Sequence, residues 1–127
     1  MYTAEELKRK IELAKAAGLS GWENLEKSIA REVCNGIGAA WMPGWLRWII
    51  GELCPHLVIV ADIHDVDYTI GGTRWDRWKA DFRFLYNGFR MAVYTGLYRQ
   101  VAAKALALWV CLAVGGWGAF NYKGKAA

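Results

Sequence analysis

The sequence predicts an all-α fold, organised as one domain over residues 1–127, from three observations. Apolar residues recur at the three- and four-residue spacing of helices along most of the chain. Capping residues precede several of these segments, and glycines follow them. Hydrophobic residues make up 55% of the chain and charged residues 22%, a composition that can bury a core. We expect an N-terminal helical hairpin over residues 1–33, a loop with two long helices over 34–100, and a C-terminal helix with a tail over 101–127.

The hairpin is predicted from two capping boxes. Thr3 followed by Glu6 starts the first helix, and Gly18 is suited to end it. Ser20 followed by Glu23 starts the second helix, which carries an apolar stripe at helical spacing: Trp22, Leu25, Ile29 and Val33. We therefore expect a hairpin of two helices packed on the rest of the domain.

A glycine-rich break follows the hairpin, with the sequence CNGIG from Cys34 to Gly38. Two glycines one residue apart allow backbone conformations that other residues resist, so this segment is predicted to be a loop. After it, Trp45 to Leu53 is mostly apolar and fits a short helix, in a region rich in large apolar residues: Trp41, Met42, Trp45, Leu46 and Trp48. These side chains fit either a membrane interface or the core.

Two long helices are predicted next. Residues 57–68 read as a helix, although their run LVIV also fits a strand. A glycine turn leads to Thr73, a good N-cap, and to a second helix from Arg74 to about Gln100 that Gly88 or Gly96 could bend or end. We expect its buried face to carry an apolar stripe interrupted by one acid: Trp78, Asp81, Phe82, Leu85, Phe89 and Ala92.

The last predicted helix covers Val101 to Val114. Residues 105–122 carry no charge, but their 18 residues only reach the lower limit for a membrane span and include three glycines. We expect a buried terminal helix followed by a glycine turn rather than a transmembrane segment.

Composition gives weaker indications about partners and compartment. The net charge of +4 favours anionic surfaces, yet basic residues are interspersed with acidic and aromatic ones, so no specific nucleic-acid partner is expected. Three widely spaced cysteines without a CxxC pair favour a reducing compartment such as the cytoplasm. No signal peptide is expected, since the segment MYTAEELKRK lacks an apolar stretch. Association with a membrane surface stays open.

The residues with the clearest chemistry are His64, Tyr68 and Asp81. His64 and Tyr68 are four residues apart and share a helix face. Asp81 interrupts an apolar stripe, and a buried carboxylate needs partners. Measured from the glycine turn, His64 and Asp81 lie about 12 Å and 13.5 Å along their helices, which puts them at nearly equal height in an antiparallel pair. An aspartate bonded to one imidazole nitrogen leaves the other nitrogen free as a base.

Asp65 lies next to His64 but points about 100° away from it around the helix, so it addresses a different partner. Calcium takes six to eight oxygen ligands, and a glycine-rich loop can supply backbone carbonyls to it. Asp65 is therefore the candidate calcium carboxylate. Each feature also has a plain structural interpretation: His64 satisfied by a backbone carbonyl, Asp81 paired with Arg83 or Lys79, and the glycine loop serving as a helix cap.

Taken in order, these motifs resemble the phospholipase A2 superfamily, and within it the small phage and bacterial phospholipase A2-like proteins. The loop is CNGIG, the first helix carries HDxxY from His64 to Tyr68, and the second carries ADxxF from Ala80 to Phe84. The resemblance implies a phospholipase A2-like core of two antiparallel helices with a calcium loop. It covers residues 34 to 89, and this chain lacks the cysteines that flank the HD helix in secreted members.

The resemblance also implies the roles of individual residues. His64 activates a water molecule against the sn-2 ester of a phospholipid, Asp81 orients His64, and Tyr68 supports that carboxylate. Asp65 binds Ca²⁺ together with the backbone carbonyls of three loop residues: Cys34, Gly36 and Gly38.

Three functions follow as hypotheses. The first is a calcium-dependent phospholipid acyl-ester hydrolase that acts at a phospholipid membrane surface. The second is a non-catalytic interaction domain of the same fold, in which His64 and Asp81 form a buried structural pair. The third is a small membrane-associated protein, for which the uncharged segment and the positive charge are the indications.

Overall fold

A computed structural model of the protein describes residues 3–27 and 51–115. Within these ranges the chain forms helices and no strand, so the all-α prediction is confirmed there. The α-helices are α1 (Ala4–Ala17), α2 (Val58–Ile70), α3 (Arg74–Thr95) and α4 (Tyr98–Gly115). Two 3₁₀ helices, Trp22–Glu26 and Pro55–Leu57, complete the described elements. The most extensive helix contacts are those of α3 with α4 and of α3 with α2.

Helix α1 begins and ends where its capping residues predict. The Thr3 hydroxyl accepts a hydrogen bond from the Glu6 backbone N–H at 3.1 Å, and the Glu6 side chain returns to the Thr3 backbone N–H. Gly18 follows the helix in the left-handed conformation, with φ of 72°. The helix buries Leu7 and Ala14 against the rest of the chain.

The second helix of the predicted hairpin is different. Trp22–Glu26 is a 3₁₀ helix, and its N-cap is Gly21 at φ 79° without a capping side chain, so the Ser20 capping box is not formed. The cause is tertiary, because Asn24 is buried and donates hydrogen bonds to the Ile63 carbonyl and to Asp67 on α2. Ile29 and Val33 lie outside the described residues, as do the loop Cys34–Gly38 and the segment up to residue 50.

The segment LVIV is helical rather than extended. Leu57 closes a 3₁₀ turn that starts at Pro55, and the next three residues open α2. Buried residues lie on several faces of α2 because it contacts the segment Trp22–Glu26 as well as α3. Its end at Ile70 is followed by Gly71 and Gly72, both at positive φ. This short connection brings α3 back antiparallel to α2.

Helix α3 starts at the predicted cap, where the Thr73 hydroxyl accepts from the Asp76 backbone N–H at 3.3 Å. It ends at Thr95, a few residues before the expected end near Gln100, and Gly96 caps it in the left-handed conformation at φ 75°. Gly88 lies inside the helix and does not end it. A Cβ atom placed there would lie 2.4 Å from the Cβ of Ala105, so the glycine allows α4 to approach α3 closely.

The buried face of α3 was predicted only in part. Asp81 and Ala92 are buried as expected, but Trp78, Phe82 and Phe89 are 38%, 55% and 43% exposed. The helix is rotated so that it buries Ala80, Asp81, Phe84, Asn87, Gly88, Met91 and Ala92. Apart from Asp81, two of these buried residues have no apolar side chain, and each makes a specific contact on this face. Asn87 accepts from the Ser20 backbone N–H and donates to the Ser20 carbonyl, and Gly88 faces α4.

The C-terminal helix α4 begins at Tyr98 and packs along α3, with Val101 and Ala105 buried. Leu106, Val110 and Val114 are exposed, so the helix is only partly enclosed. Across residues 3–27 and 51–115, none of the helices combines the length and apolar character that a membrane crossing needs. The predicted glycine turn after this helix lies outside the described residues.

Candidate functional site

The site is organised around a contact between the two antiparallel helices. His64 on α2 and Asp81 on α3 face each other, with 3.0 Å between His64 Nε2 and Asp81 Oδ1. Both side chains are removed from water, at 4% and 1% exposure. The structure thus brings together the two residues that helix rise placed at equal height. With the carboxylate as acceptor, the neutral imidazole carries its proton on Nε2, and Nδ1 is the nitrogen that can accept a proton.

Tyr68 completes one side of the carboxylate. Its hydroxyl donates to the same oxygen, Asp81 Oδ1, at 2.6 Å. The Tyr68 ring lies against the imidazole, with 4.0 Å between ring centroids, and Phe84 packs edge-on against the imidazole at 5.4 Å. Burial and the Asp81 carboxylate both raise the pKa of the Tyr68 phenol far above its usual value. The phenol is therefore a stable donor to the carboxylate across the neutral pH range.

Arg77 approaches the other carboxylate oxygen, with 3.8 Å between Arg77 Nε and Asp81 Oδ2. Its Nη2 donates to the backbone carbonyls of Leu112 and Ala113 at 2.9 and 3.0 Å. The sequence reasoning missed this residue and named Arg83 or Lys79 as basic partners of Asp81. The sequence did contain an indication of this pair, because Arg77 and Asp81 are four residues apart on one helix, a spacing at which opposite charges interact.

Arg83 instead pairs with Asp67, at 2.9 Å between Arg83 Nη1 and Asp67 Oδ1. Asp67 also accepts from the Asn24 side chain at 2.8 Å. Asp62, the other acid near the site, is fully buried and pairs with Lys10 at 3.1 Å. Asp62 and Asp67 are therefore both held in ion pairs, with Lys10 on α1 and Arg83 on α3.

A cleft of about 420 Å³ lies beside the Asp67–Arg83 pair, between the segment Trp22–Glu26 and the start of α3. Its lining carries groups of both charges: Glu23, Lys27, Asp67, Asp76, Lys79 and Arg83. Such a lining does not select a ligand of one charge.

The candidate calcium residues are only partly described. Asp65 lies on α2 and is half-buried, and its backbone carbonyl accepts from the Thr69 hydroxyl at 2.9 Å. Cys34, Gly36 and Gly38 lie outside the described residues. In the part of the chain that is described, no group of three or more His, Cys, Asp or Glu side chains is arranged to hold a metal ion. The calcium site is therefore still a prediction.

The apolar side chains named as a candidate interface before Leu53 also lie outside the described residues. Helix α3, by contrast, exposes large apolar residues at helical spacing along one side: Trp75, Trp78, Phe82, Tyr86, Phe89 and Val93. Trp75 is the most exposed of these, at 67%. The sequence placed several of them in the core because their spacing is that of a buried stripe.

Comparison with protein-family models, with curated protein sequences and with solved structures returns no match for this chain. The fold and site define a helical domain with a buried His–Asp–Tyr cluster across two antiparallel helices.

Proposed function

We propose that the protein is a calcium-dependent phospholipid acyl-ester hydrolase of the phospholipase A2 type. The observation that carries the proposal is the 3.0 Å contact between His64 Nε2 and the Asp81 carboxylate. A histidine held in this way presents a basic Nδ1 atom and has a fixed ring orientation, which are the requirements of a general base.

In the proposed reaction, His64 Nδ1 removes a proton from a water molecule as the water oxygen attacks the ester carbonyl. The carbonyl carbon becomes tetrahedral and its oxygen gains negative charge. When the intermediate collapses, the C–O bond of the ester breaks and His64 returns the proton to the leaving alkoxide. The products are a fatty acid and a lysophospholipid. Asp81 holds the tautomer of His64 throughout, and Tyr68 holds Asp81.

The predicted cation ligands fit calcium chemically, because Asp65 offers a carboxylate and Cys34, Gly36 and Gly38 offer backbone carbonyls, all of them hard oxygen donors. Bound calcium supplies a Lewis acid that stabilises the negative charge on the carbonyl oxygen. Asp65 follows His64 directly on α2, so one helix fixes both the base and the carboxylate ligand.

The exposed side of α3 supports a substrate presented in a lipid surface. Aromatic side chains such as Trp75, Phe82 and Tyr86 combine apolar area with a preference for the headgroup region, and exposed Arg74 and Lys79 lie on the same helix. A side of this kind suits an anionic phospholipid surface.

The test measures fatty-acid release from vesicles of phosphatidylcholine and phosphatidylglycerol, with calcium and with EGTA. We expect release with calcium only, and its loss in the variant His64→Gln. The matched control is His56→Gln, since His56 is the other histidine and is exposed on the segment Pro55–Leu57. Equal, negligible release by the wild-type protein in both conditions contradicts the proposal.

The burial of the site favours one second candidate, a non-catalytic domain in which the cluster is structural. At 4% and 1% exposure, His64 and Asp81 also serve as a satisfied polar contact between two helices. Calorimetric titration distinguishes the two functions: a folded protein that neither binds calcium nor hydrolyses lipid supports the second.

A further inference from the structure

We propose that Arg77 is a positioning residue of the site, which fixes the Asp81 carboxylate by linking it to the backbone of Leu112 and Ala113 on α4. This inference rests on the proposed function for its catalytic consequence. Its structural part, the control of the His64–Asp81 contact by Arg77, can be measured without activity.

The two oxygens of the Asp81 carboxylate have different neighbours. His64 and Tyr68 both bond to Oδ1, at 3.0 and 2.6 Å, whereas the Arg77 guanidinium faces Oδ2 at 3.8 Å, a distance of electrostatic attraction rather than of a hydrogen bond. Rotation of the carboxylate breaks the two bonds to Oδ1 and also moves Oδ2 away from the cation. Arg77 therefore adds an attraction that opposes the same rotation.

Arg77 also places a positive charge beside the Asp81 carboxylate. A histidine that acts as a general base is neutral before the reaction, so it does not balance the negative charge of its aspartate. Tyr68 is also neutral. Asp81 is 1% exposed, and a buried carboxylate is costly unless a cation compensates for it. Arg77, at 11% exposure, supplies that positive charge from one turn earlier on the same helix.

Arg77 itself is held by helix α4. Its Nη2 atom donates to the backbone carbonyls of Leu112 and Ala113, whose oxygens carry partial negative charge. One guanidinium thus faces two negative groups on different helices. The packing of α4 on α3 thereby sets the position of the cation beside Asp81.

The experiment compares Arg77→Met and Arg77→Lys with the wild-type protein. The matched control is Arg83→Met, which removes another arginine of α3 that pairs with an acid of α2. The first readout is the downfield proton NMR signal of His64 Nε2–H, recorded with ¹⁵N-labelled histidine. The second is kcat and KM for lipid hydrolysis with calcium.

For Arg77→Met we expect the downfield signal to move upfield or vanish, and kcat to fall by about 100-fold with KM changed less than twofold, the size of effect that misplacement of a catalytic group causes. Lysine retains the charge, but its single ammonium group cannot contact the Asp81 carboxylate and the α4 carbonyls at once as a guanidinium does. We therefore expect Arg77→Lys to give an NMR shift and a kcat between those of the wild type and Arg77→Met. Arg83→Met is expected to match the wild type in both readouts.

A wild-type NMR signal in Arg77→Met overturns the inference. If that variant does not fold, Arg77→Lys decides, and wild-type values in it also overturn the inference. A wild-type protein without hydrolysis contradicts the proposed function alone, because the NMR signal and its response to Arg77 are measured independently of turnover.

Discussion

Two acid–base contacts join α2 to α3, and the acid and the base are exchanged between the helices from one contact to the other. In one, the base His64 lies on α2 and the acid Asp81 on α3; in the other, the acid Asp67 lies on α2 and the base Arg83 on α3. Their donor–acceptor distances are nearly equal, at 3.0 and 2.9 Å. Their surroundings differ, since His64 and Asp81 are 4% and 1% exposed, whereas Arg83 and Asp67 are 36% and 14% exposed.

From this difference we expect burial, rather than the donor–acceptor distance, to determine how much each pair stabilises the fold. A solvent-exposed ion pair contributes about 0–1 kcal/mol, because water and salt compete for both partners. Removing one member of a buried pair leaves the other without a partner, which costs about 3–5 kcal/mol. The His64–Asp81 contact is therefore the one that needs Tyr68 and Arg77 around it.

The largest expected effect is that of Asp81→Ala. The substitution removes the acceptor of both His64 and Tyr68 and leaves Arg77 facing no carboxylate. We expect the free energy of unfolding to fall by about 3–5 kcal/mol, measured by urea unfolding followed by circular dichroism.

Arg83→Met is the control for this prediction, because it removes the partly exposed contact and leaves the Asn24–Asp67 bond in place. We expect it to cost about 0–1 kcal/mol. Equal losses in the two variants contradict the distinction between the two contacts.

The next effect is that of Tyr68→Phe, which removes one donor and leaves the His64–Asp81 contact. A hydrogen bond to a charged group contributes about 1.5–3 kcal/mol, so we expect a loss of that size at pH 7. The raised pKa of Tyr68 adds a pH dependence. The folded state holds the phenol proton more tightly than the unfolded chain, so this stabilisation is complete below about pH 10 and is lost as pH rises towards the folded-state pKa.

Urea unfolding of the wild type and Tyr68→Phe between pH 8 and 11 tests this dependence. Groups common to both proteins cancel in the difference, which we expect to shrink above about pH 10. Tyr86→Phe is the control, because Tyr86 is 51% exposed on α3. A difference between wild type and Tyr68→Phe that stays constant up to pH 11 contradicts the prediction.

Features that depend on neighbouring residues were predictable from the sequence. The caps at Thr3 and Thr73 and the left-handed Gly18 require only residues within one helical turn. The His64–Asp81 contact was also predictable. A short turn fixes the register of two antiparallel helices, and the rise per residue then gives the height of each residue above the turn.

Features that depend on distant partners were not predictable. Asn87 is buried on α3 because it bonds to the backbone of Ser20, 67 residues earlier. Gly88 faces α4 at a point where Ala105 leaves no room for a side chain, and the local sequence does not indicate this contact. Both positions lie on the buried face of α3, whereas Trp78 and Phe82, which periodicity alone assigned to the core, lie on its exposed side.

The smallest expected effect separates the two contacts by salt. Charges near the surface are screened within about 8–10 Å at moderate ionic strength, whereas buried charges are screened much less. We therefore expect the small stability loss in Arg83→Met to approach zero in about 0.5 M NaCl, which is roughly three times the physiological ionic strength. The loss in Asp81→Ala should stay close to its low-salt value, because water and ions do not reach a carboxylate that is 1% exposed. Urea unfolding of each variant and of the wild type at low and high salt measures both stability losses. If the loss in Asp81→Ala falls with salt as steeply as the loss in Arg83→Met, the His64–Asp81 contact is open to solvent and the prediction is wrong.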